Sequence, residues 1–379
     1  MRYCFVLPHF DETVNSFSKL LAPVVQELIR SGDEVTIVSA NAGYHGRYRN
    51  QHHPLPGRTI KPAFLNYLFF VVVSSVWLKW NRKRFDLIHN LGIGATLVQD
   101  VMTAHACHRS WLQCKWRMGQ YVSMFANPLH ALVLIVEGLN YRRKIPVIAV
   151  IESLAQEIRT YYPMAAGSIV VIPNGVPPAP PITAVERIDN KSFVISFASN
   201  DHGKKGLAAL IAAMQLAKNQ GKSWRLLVLG HDSREQKWKD LVRERGLDQD
   251  IIFVGHVTNI HDHMAASDVF CLPSNYEPFG LVYLEAAHAG IPIVGTDVGV
   301  YPELVNQHFP ELPLALPVEV SKLYAALARV ETDFEFRDAL RRQTRKAATQ
   351  FTEERMLRQT LAFYGEVLTS KGRRGTVGP

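Results

Sequence analysis

The chain has 379 residues, of which 47% are hydrophobic and 20% charged, and its formal net charge is +8 at pH 7. This length favours two domains, and the ordinary composition excludes a disordered or low-complexity chain. Residues 1–180 hold 18 Lys and Arg against 10 Asp and Glu, whereas residues 181–379 hold 24 of each. The first half is therefore expected to meet an acidic partner: a phosphorylated substrate, an anionic lipid or nucleic acid.

Short apolar runs alternate with amphipathic stretches, which is typical of parallel strands joined by helices. In the first half, strands are predicted at residues 3–7, 34–40, 86–90, 147–151 and 169–173. Residues 18–32 have helical spacing and end in Gly32, a predicted C-cap. The N-terminal run is cut by Pro8, which favours a first buried strand over a signal peptide.

The apolar stretch at residues 63–85 allows three interpretations. We favour a buried crossover helix with a basic end, because the apolar core is short for a membrane span and is interrupted by Asn66, Ser74 and Ser75. The second interpretation is an interfacial helix whose aromatic and basic end meets lipid headgroups. A transmembrane helix comes third.

A proline-rich stretch at residues 176–190 is the predicted linker, and the alternating pattern restarts after it. Strands are predicted at residues 192–199, 225–230, 251–256, 269–274 and 292–296, with helices at 206–221 and 236–246. The sequence therefore predicts two doubly wound α/β domains, at residues 1–177 and 178–355, followed by a C-terminal helix and tail at 356–379. Ligands are expected in a cleft between facing strand ends. The amphipathic pattern of the last helix starts near residue 353 and does not show which domain it packs on.

The four cysteines are scattered, which favours free thiols in a reducing compartment. A metal site is an alternative interpretation of His105, Cys107, His108 and Cys114, but their spacing matches no zinc pattern. The Asp-x-Asp at residues 248–250 lies in a polar turn and is not interpreted as a metal–diphosphate site. His89 is expected to be a structural histidine at a strand end. The sequence thus predicts no required metal.

Two carboxylates, Glu277 and Glu285, lie eight residues apart in the apolar, glycine-punctuated segment SNYEPFGLVYLEAAHAG. Pro278 predicts a helix start between them, around residues 278–280, which leaves backbone N–H groups of Phe279, Gly280 and Leu281 for an anion. Carboxylates accept hydrogen bonds and suit the recognition of hydroxyl groups. The alternative, one acid at the helix dipole and one on a solvated surface, is disfavoured by the apolar surroundings.

Residues 251–305 resemble the signature of the retaining GT4 family of GT-B glycosyltransferases, and weaker similarity extends over nearly the whole chain. The matching positions are Pro273, Ser274, Glu277, Phe279, Gly280, Leu281, Leu284, Glu285, Ala286, Gly290, Pro292 and Val294. The resemblance implies a GT-B fold of two Rossmann-like domains facing a central cleft. It also implies that Glu277 contacts the hydroxyls of the donor sugar and that Glu285 binds the ribose of a nucleotide.

The segment SNDHGKKG at residues 199–206 follows a predicted strand and offers Lys204 and Lys205 before a glycine. By the resemblance, Lys205 binds the donor phosphates, where a fixed cation suits a diphosphate leaving group. The family's arginine five residues earlier is replaced by Asn200, which resembles the branch that glucosylates the lipopolysaccharide inner core. The alternative is a solvated charged turn.

The resemblance also places a polar residue, here His105, next to the reacting sugar. Arg109, Lys115 and Arg117 are interpreted as a basic rim on the acceptor side, where a phosphorylated core can dock. The family's Gly-Gly after the first strand is replaced by Asn15-Ser16, residues that still allow a tight loop.

The resemblance implies a retaining hexosyltransferase with a UDP- or GDP-sugar donor and no cofactor, and together with the basic first half it implies an anionic glycolipid or glycan acceptor of the lipopolysaccharide core or cell envelope. The second domain is expected to bind the donor and the first the acceptor, with Lys205, Glu277 and His105 at the reaction. The expected location is cytoplasmic, peripheral on the inner face of the cytoplasmic membrane, with no nucleic acid bound. The alternatives are a nucleotide-sugar epimerase or hydrolase of the same fold and a non-catalytic membrane-associated binding protein.

Overall fold

The structure, a computed structural model, describes residues 1–13, 16–41, 44–56, 63–92, 94–178, 181, 187–306 and 308–376. The chain divides into two compact units, one made of Met1–Gly175 with Glu353–Pro379 and the other of Val176–Thr352. The sequence-based boundaries lie after residues 177 and 355. Parts of the predicted linker, residues 179–180 and 182–186, and Asn15 of the first loop lie outside the described residues.

The first unit is built on a parallel sheet of seven described strands in the order β3-β2-β1-β4-β5-β6-β7. The strands are β1 (Arg2–Val6), β2 (Glu34–Ser39), β3 (His52–Pro54), β4 (Leu87–Leu91), β5 (Val101–Ala104), β6 (Val147–Ala149) and β7 (Ile169–Val171). The helices are α1 (Ser16–Arg30), α2 (Ala63–Trp80), α3 (His108–Arg117), α4 (Tyr121–Phe125), α5 (Pro128–Arg142) and α6 (Glu152–Tyr161). The central strands β1 and β4 are almost wholly buried, as their continuous apolar runs predict.

The second unit has a parallel sheet of six described strands in the order β10-β9-β8-β11-β12-β13. The strands are β8 (Phe193–Ala198), β9 (Trp224–Leu229), β10 (Ile251–Gly255), β11 (Val269–Leu272), β12 (Ile293–Thr296) and β13 (Pro313–Leu314). The helices are α7 (Leu207–Asn219), α8 (Glu235–Glu244), α9 (Ile260–Ala265), α10 (Leu281–Ala289), α11 (Tyr301–Val305), α12 (Val320–Thr332) and α13 (Phe334–Ala348). Two parallel α/β units are thereby confirmed.

The last helix, α14 (Glu353–Thr376), packs on the first unit, which the sequence pattern alone did not show. Its Phe363 and Tyr364 join the core formed by β1 and α1. The Tyr364 hydroxyl lies 2.6 Å from Nδ1 of His89, and Nε2 of His89 lies 2.8 Å from the Thr103 hydroxyl. Both ring nitrogens of this buried histidine are therefore paired, which supports the predicted structural role, although His89 lies in the middle of β4 and not at a strand end.

The prediction of a buried crossover helix at residues 63–85 is wrong. Of the residues of α2, those buried are Phe70, Val71, Ser74 and Leu78, and 22% of its apolar window lies inside the protein. The helix is long and apolar enough to cross a membrane by length and composition. Periodicity could not reveal an exposed face because α2 is apolar all round, and a fully buried helix has the same pattern.

Candidate functional site

The order of strands in the second unit creates a switch point between β8 and β11. From β8 the chain proceeds to β9 and β10 on one side, and from β11 to β12 and β13 on the other. The two strands are parallel and pair Ile195 with Val269. Loops that leave such a pair in opposite directions open a crevice at the carboxyl ends of the strands, where ligands of open α/β sheets bind.

A backbone hydrogen bond and a close glycine contact hold together the loops that follow these two strands. The backbone N–H of Asn275 donates to the carbonyl oxygen of Lys204 at 2.9 Å. Gly206 has φ +83°, and a Cβ at this position would lie 1.9 Å from the carbonyl oxygen of Pro273. Only glycine allows both this conformation and this approach. The two loops are consequently positioned as one structure, although about seventy residues separate them in sequence.

The contact between the loops after β8 and β11 brings Lys205 and Glu277 together. The Lys205 ammonium forms an ion pair with Oε2 of Glu277, and the two side chains are 17% and 9% exposed. Burial lowers the pKa of Lys205 to about 7, with the neighbouring Lys204 ammonium acting in the same direction and Asp201 opposing it. The Glu277 carboxylate in contact with the ammonium also opposes the shift. A buried ion pair contributes little to stability, so its presence at a switch point favours a binding role.

Two helices begin at this crevice. Gly206 precedes α7, and Gly280, with φ +87°, precedes α10. A Cβ on Gly280 would lie 2.9 Å from Cγ of Glu277, so the missing side chain leaves room for the carboxylate. The helix starts at Leu281, one residue after the predicted range of 278–280, with Gly280 as its N-cap. The first-turn N–H groups of a helix lack partners within it, and with the helix dipole they make an anion-binding position.

The other residues predicted to bind the donor occupy different places around this pair. The side chain of Phe279 is buried, with its ring 6.1 Å from that of Phe351. The part of Phe279 that is left to contact a donor is therefore its backbone. Glu285 is half-buried on α10, one to two turns beyond Gly280. These placements fit the anion and hydroxyl contacts that the sequence predicts, and the roles themselves stay predictions.

Asn200 and Lys204 belong to the same loop but face elsewhere. The Lys204 ammonium lies 5.4 Å from the centre of the Tyr276 ring. Asn200 is exposed and its amide oxygen lies 3.5 Å from the backbone nitrogen of His231, which follows β9. Lys204 therefore flanks the ion pair, whereas Asn200 borders the next loop along the sheet.

His105 belongs to the first unit, where it follows β5. Its ring stacks on Phe17 with centroids 4.3 Å apart, and burial lowers its pKa to about 4. Its Nε2 has no hydrogen-bond partner within the described parts of the chain, and the ring lines a cavity of about 40 Å³ with His89 and Asn174. The imidazole is neutral at physiological pH, its Nε2 is buried, and its role next to a sugar stays a prediction.

The predicted basic rim lies on α3. The Arg109 guanidinium lies 5.5 Å from the centre of the Tyr161 ring, and the Lys115 ammonium lies 3.4 Å from Nε2 of His130. Among the described residues, no group of three or more His, Cys, Asp or Glu side chains is arranged to hold a metal ion. Independence from metal stays a prediction.

Sequence reasoning missed a polar pocket of about 210 Å³ between the loops after β1 and β2. Its walls include His9, Asp11, Glu12 and His45, and the Tyr44 hydroxyl donates to Oε2 of Glu12 at 2.6 Å. No spacing rule links these residues, because they come from two loops that meet only when β1 and β2 pair. The polar residues His9, Asp11 and Glu12, which follow the first strand, are the signal in the sequence that could have indicated it.

Comparison with known proteins gives two consecutive matches to protein families. Residues 20–179 match the model of Glycosyltransferase Family 4, and residues 179–347 match that of Glycosyl transferases group 1. Over 121 residues the chain is 38% identical to the lipopolysaccharide core biosynthesis mannosyltransferase LpsB of Rhizobium meliloti, a match that covers 31% of this chain and 34% of that protein. Over 382 residues it is 24% identical to the uncharacterized glycosyltransferase MJ1607 of Methanocaldococcus jannaschii, covering 92% and 94% of the two proteins.

Among solved structures, the fold resembles WaaG, a glycosyltransferase involved in lipopolysaccharide biosynthesis. The TM-score is 0.76 at 16% identity, and the match covers 94% of this chain and 98% of that one. At this identity the likeness shows the fold, and it confirms the predicted GT-B class.

Proposed function

Because two glycosyltransferase family models match residues 20–347 in succession, the chain belongs to the GT-B glycosyltransferases of the family 4 type, and we propose that it transfers a hexose from a UDP- or GDP-linked donor to a glycan or glycolipid acceptor with retention of configuration. The observation that carries the proposal is the Lys205–Glu277 ion pair at the switch point of the second unit. A cation, a hydroxyl-binding carboxylate and two helix N-termini converge there, and a nucleotide sugar has a diphosphate and a polyol to match them.

The proposed chemistry is the departure of a nucleoside diphosphate. The bond between C1 of the hexose and the diphosphate oxygen breaks, and its electron pair leaves with the diphosphate. The Lys205 ammonium and the start of α10 stabilise that charge without a metal. A hydroxyl oxygen of the acceptor then bonds to C1 on the same face, and its proton passes to the departing phosphate oxygen.

The ion pair has a consequence for donor binding. A diphosphate competes with Glu277 for the Lys205 ammonium, so the bound donor releases at least one carboxylate oxygen of Glu277. That oxygen can then accept a hydrogen bond from a sugar hydroxyl. Glu285, further along α10, is proposed to accept hydrogen bonds from the ribose. Both acids act in binding, and neither is proposed as a nucleophile.

The proposed acceptor is anionic and is held by the first unit, and His105 is proposed to contact the reacting sugar. The excess of basic residues in this half of the chain supports an acidic partner, and the identity to a lipopolysaccharide core mannosyltransferase supports a core or envelope glycolipid. We further propose that the protein works in the cytoplasm as a peripheral protein of the inner membrane leaflet.

The test is a transfer assay with a panel of UDP- and GDP-hexoses and deacylated core oligosaccharides, followed by NMR analysis of the new linkage. We expect an α-linked product from an α-linked donor, and no consumption of donor without an acceptor. Donor epimerised or hydrolysed in the absence of acceptor would instead support the alternative reaction on the same fold. An inverted product would overturn the proposed stereochemistry.

A further inference from the structure

Helix α2 of the first unit has two opposite apolar faces. Its inner face holds the buried residues Phe70, Val71, Ser74 and Leu78. The opposite side, which we call the outer face of α2, exposes six large apolar side chains at spacings of three and four residues: Leu65, Leu68, Phe69, Val72, Val76 and Trp80. At 3.6 residues per turn these six positions form one continuous stripe along the helix.

The stripe is unusual for a surface helix because it contains no charge. The only charged residue of Ala63–Trp80 is Lys79, next to the stripe's last member. The neighbouring helix α5 adds Ile135, which is 60% exposed, and Leu139, one turn further along. An apolar patch of this extent on a protein surface marks a contact site.

Charge at one end of the stripe identifies what it contacts. Trp80 is 83% exposed, and Lys79, Lys83 and Arg84 around it are exposed cations. Arg82 differs, because it is paired with Asp100 at 2.7 Å. An apolar stripe that ends in a tryptophan and a group of exposed basic residues fits a bilayer with anionic headgroups, where aromatic rings and cations occupy the headgroup level.

We propose that the outer face of α2 is the membrane-docking surface of this protein, with the helix lying parallel to an anionic bilayer at the boundary between headgroups and acyl chains. The proposal rests on the proposed function, whose acceptor is a glycolipid, and it names the surface that holds the enzyme next to that acceptor. A helix with a large apolar face buries it to this depth when anionic lipid adds electrostatic attraction.

The inner face argues for a helix that lies on the membrane and does not span it. The Ser74 hydroxyl donates to the carbonyl oxygen of Ala95 at 2.6 Å, and the Ser75 hydroxyl accepts from the backbone N–H of Leu97 at 2.8 Å. Insertion across the bilayer would break these hydrogen bonds and expose the core beneath. The stripe reaches lipid without such a loss.

Vesicle flotation tests the proposal with the full-length protein. We expect the wild type to float with vesicles of phosphatidylcholine and phosphatidylglycerol and to bind phosphatidylcholine alone much more weakly. Replacing Lys79, Lys83 and Arg84 together by Gln should lower the partition coefficient on the order of a hundredfold, since each basic residue contributes separately. The double variant Val72→Glu, Val76→Glu should lower it at least about tenfold, because it places charge in the stripe. The control Phe334→Ser removes a residue of the second unit that is 66% exposed, and it should bind like wild type.

Two results would overturn the proposal. One is a wild-type protein that does not float with anionic vesicles, or whose flotation neither α2 variant changes. The other is a wild-type dimer by light scattering that the Val72→Glu, Val76→Glu variant converts to a monomer, since the stripe would then join two copies. Nucleotide binding by calorimetry separates this from the proposed function: the α2 variants should bind donor like wild type. Flotation without any donor binding would sink the proposed function and leave the docking surface standing.

Discussion

Replacing Gly206 by alanine tests how the two loops of the donor site are held together. The new Cβ would lie 1.9 Å from the Pro273 carbonyl oxygen, and an ordinary contact needs 3.4 Å or more. The loops must therefore separate by about 1.5 Å, which displaces Lys205 from Glu277. Displacements of about 1 Å at a reaction site cost on the order of a hundredfold in rate.

Gly221→Ala is the matched control. Gly221 has φ +71°, close to the +83° of Gly206, and it also lies at an end of α7. A Cβ there would have no atom within 4 Å. Both variants pay about 1–2 kcal/mol in stability for the left-handed conformation, but only Gly206→Ala adds the collision.

The assay is transfer rate and donor affinity for both variants, with the free energy of unfolding measured by urea titration. We expect Gly206→Ala to lose at least about a hundredfold in turnover, and Gly221→Ala to transfer at the wild-type rate when folded. Equal activity of the two variants would refute the reasoning that contact between the loops positions the site.

Three further predictions concern single residues. Burial places the pKa of Lys205 at about 7, and a bound diphosphate favours the charged form, so donor binding takes up a proton. The dissociation constant for the donor, measured by calorimetry, should therefore rise above pH 7 by up to about tenfold per pH unit. Lys205→Arg should remove this slope because arginine stays charged. Glu285→Ala should weaken nucleotide binding about 10- to 150-fold with little change in turnover at saturating donor, since a charged group accepting hydrogen bonds contributes about 1.5–3 kcal/mol. An unchanged dissociation constant would contradict its role. His105→Ala should lower turnover at least about tenfold while nucleotide affinity is unchanged, and because the His105 pKa is about 4, the wild-type rate should show no inflection from this residue between about pH 5 and 8.

The sequence predicted most strands and, to within one residue, the start of α10, because these depend on short-range patterns. Parallel strands buried on both faces show as apolar runs, and Pro278 lies three residues before Leu281, the first residue of α10. The paired Lys205 and Glu277 were each predicted from their own loop. Their contact was not predictable, because it depends on β8 and β11 being neighbours in the sheet.

The parts that sequence could not show share a physical cause. A helix that is apolar on every side, such as α2, has no polar face to identify its orientation. The pocket beside Glu12 and the packing of α14 on the first unit arise from segments far apart in the chain. Local periodicity indicates which residues are apolar, but it does not indicate which other segment of the chain packs against them.

The central claim is that the Lys205–Glu277 site binds a nucleotide sugar, and titration calorimetry tests it most directly. Wild-type protein and the Lys205→Ala, Glu285→Ala double variant would each be titrated with UDP, GDP and their hexose derivatives. The account predicts that the wild type binds one nucleotide series and that the folded double variant loses this binding. Absence of binding to every nucleotide, or equal binding by the two proteins, would contradict it.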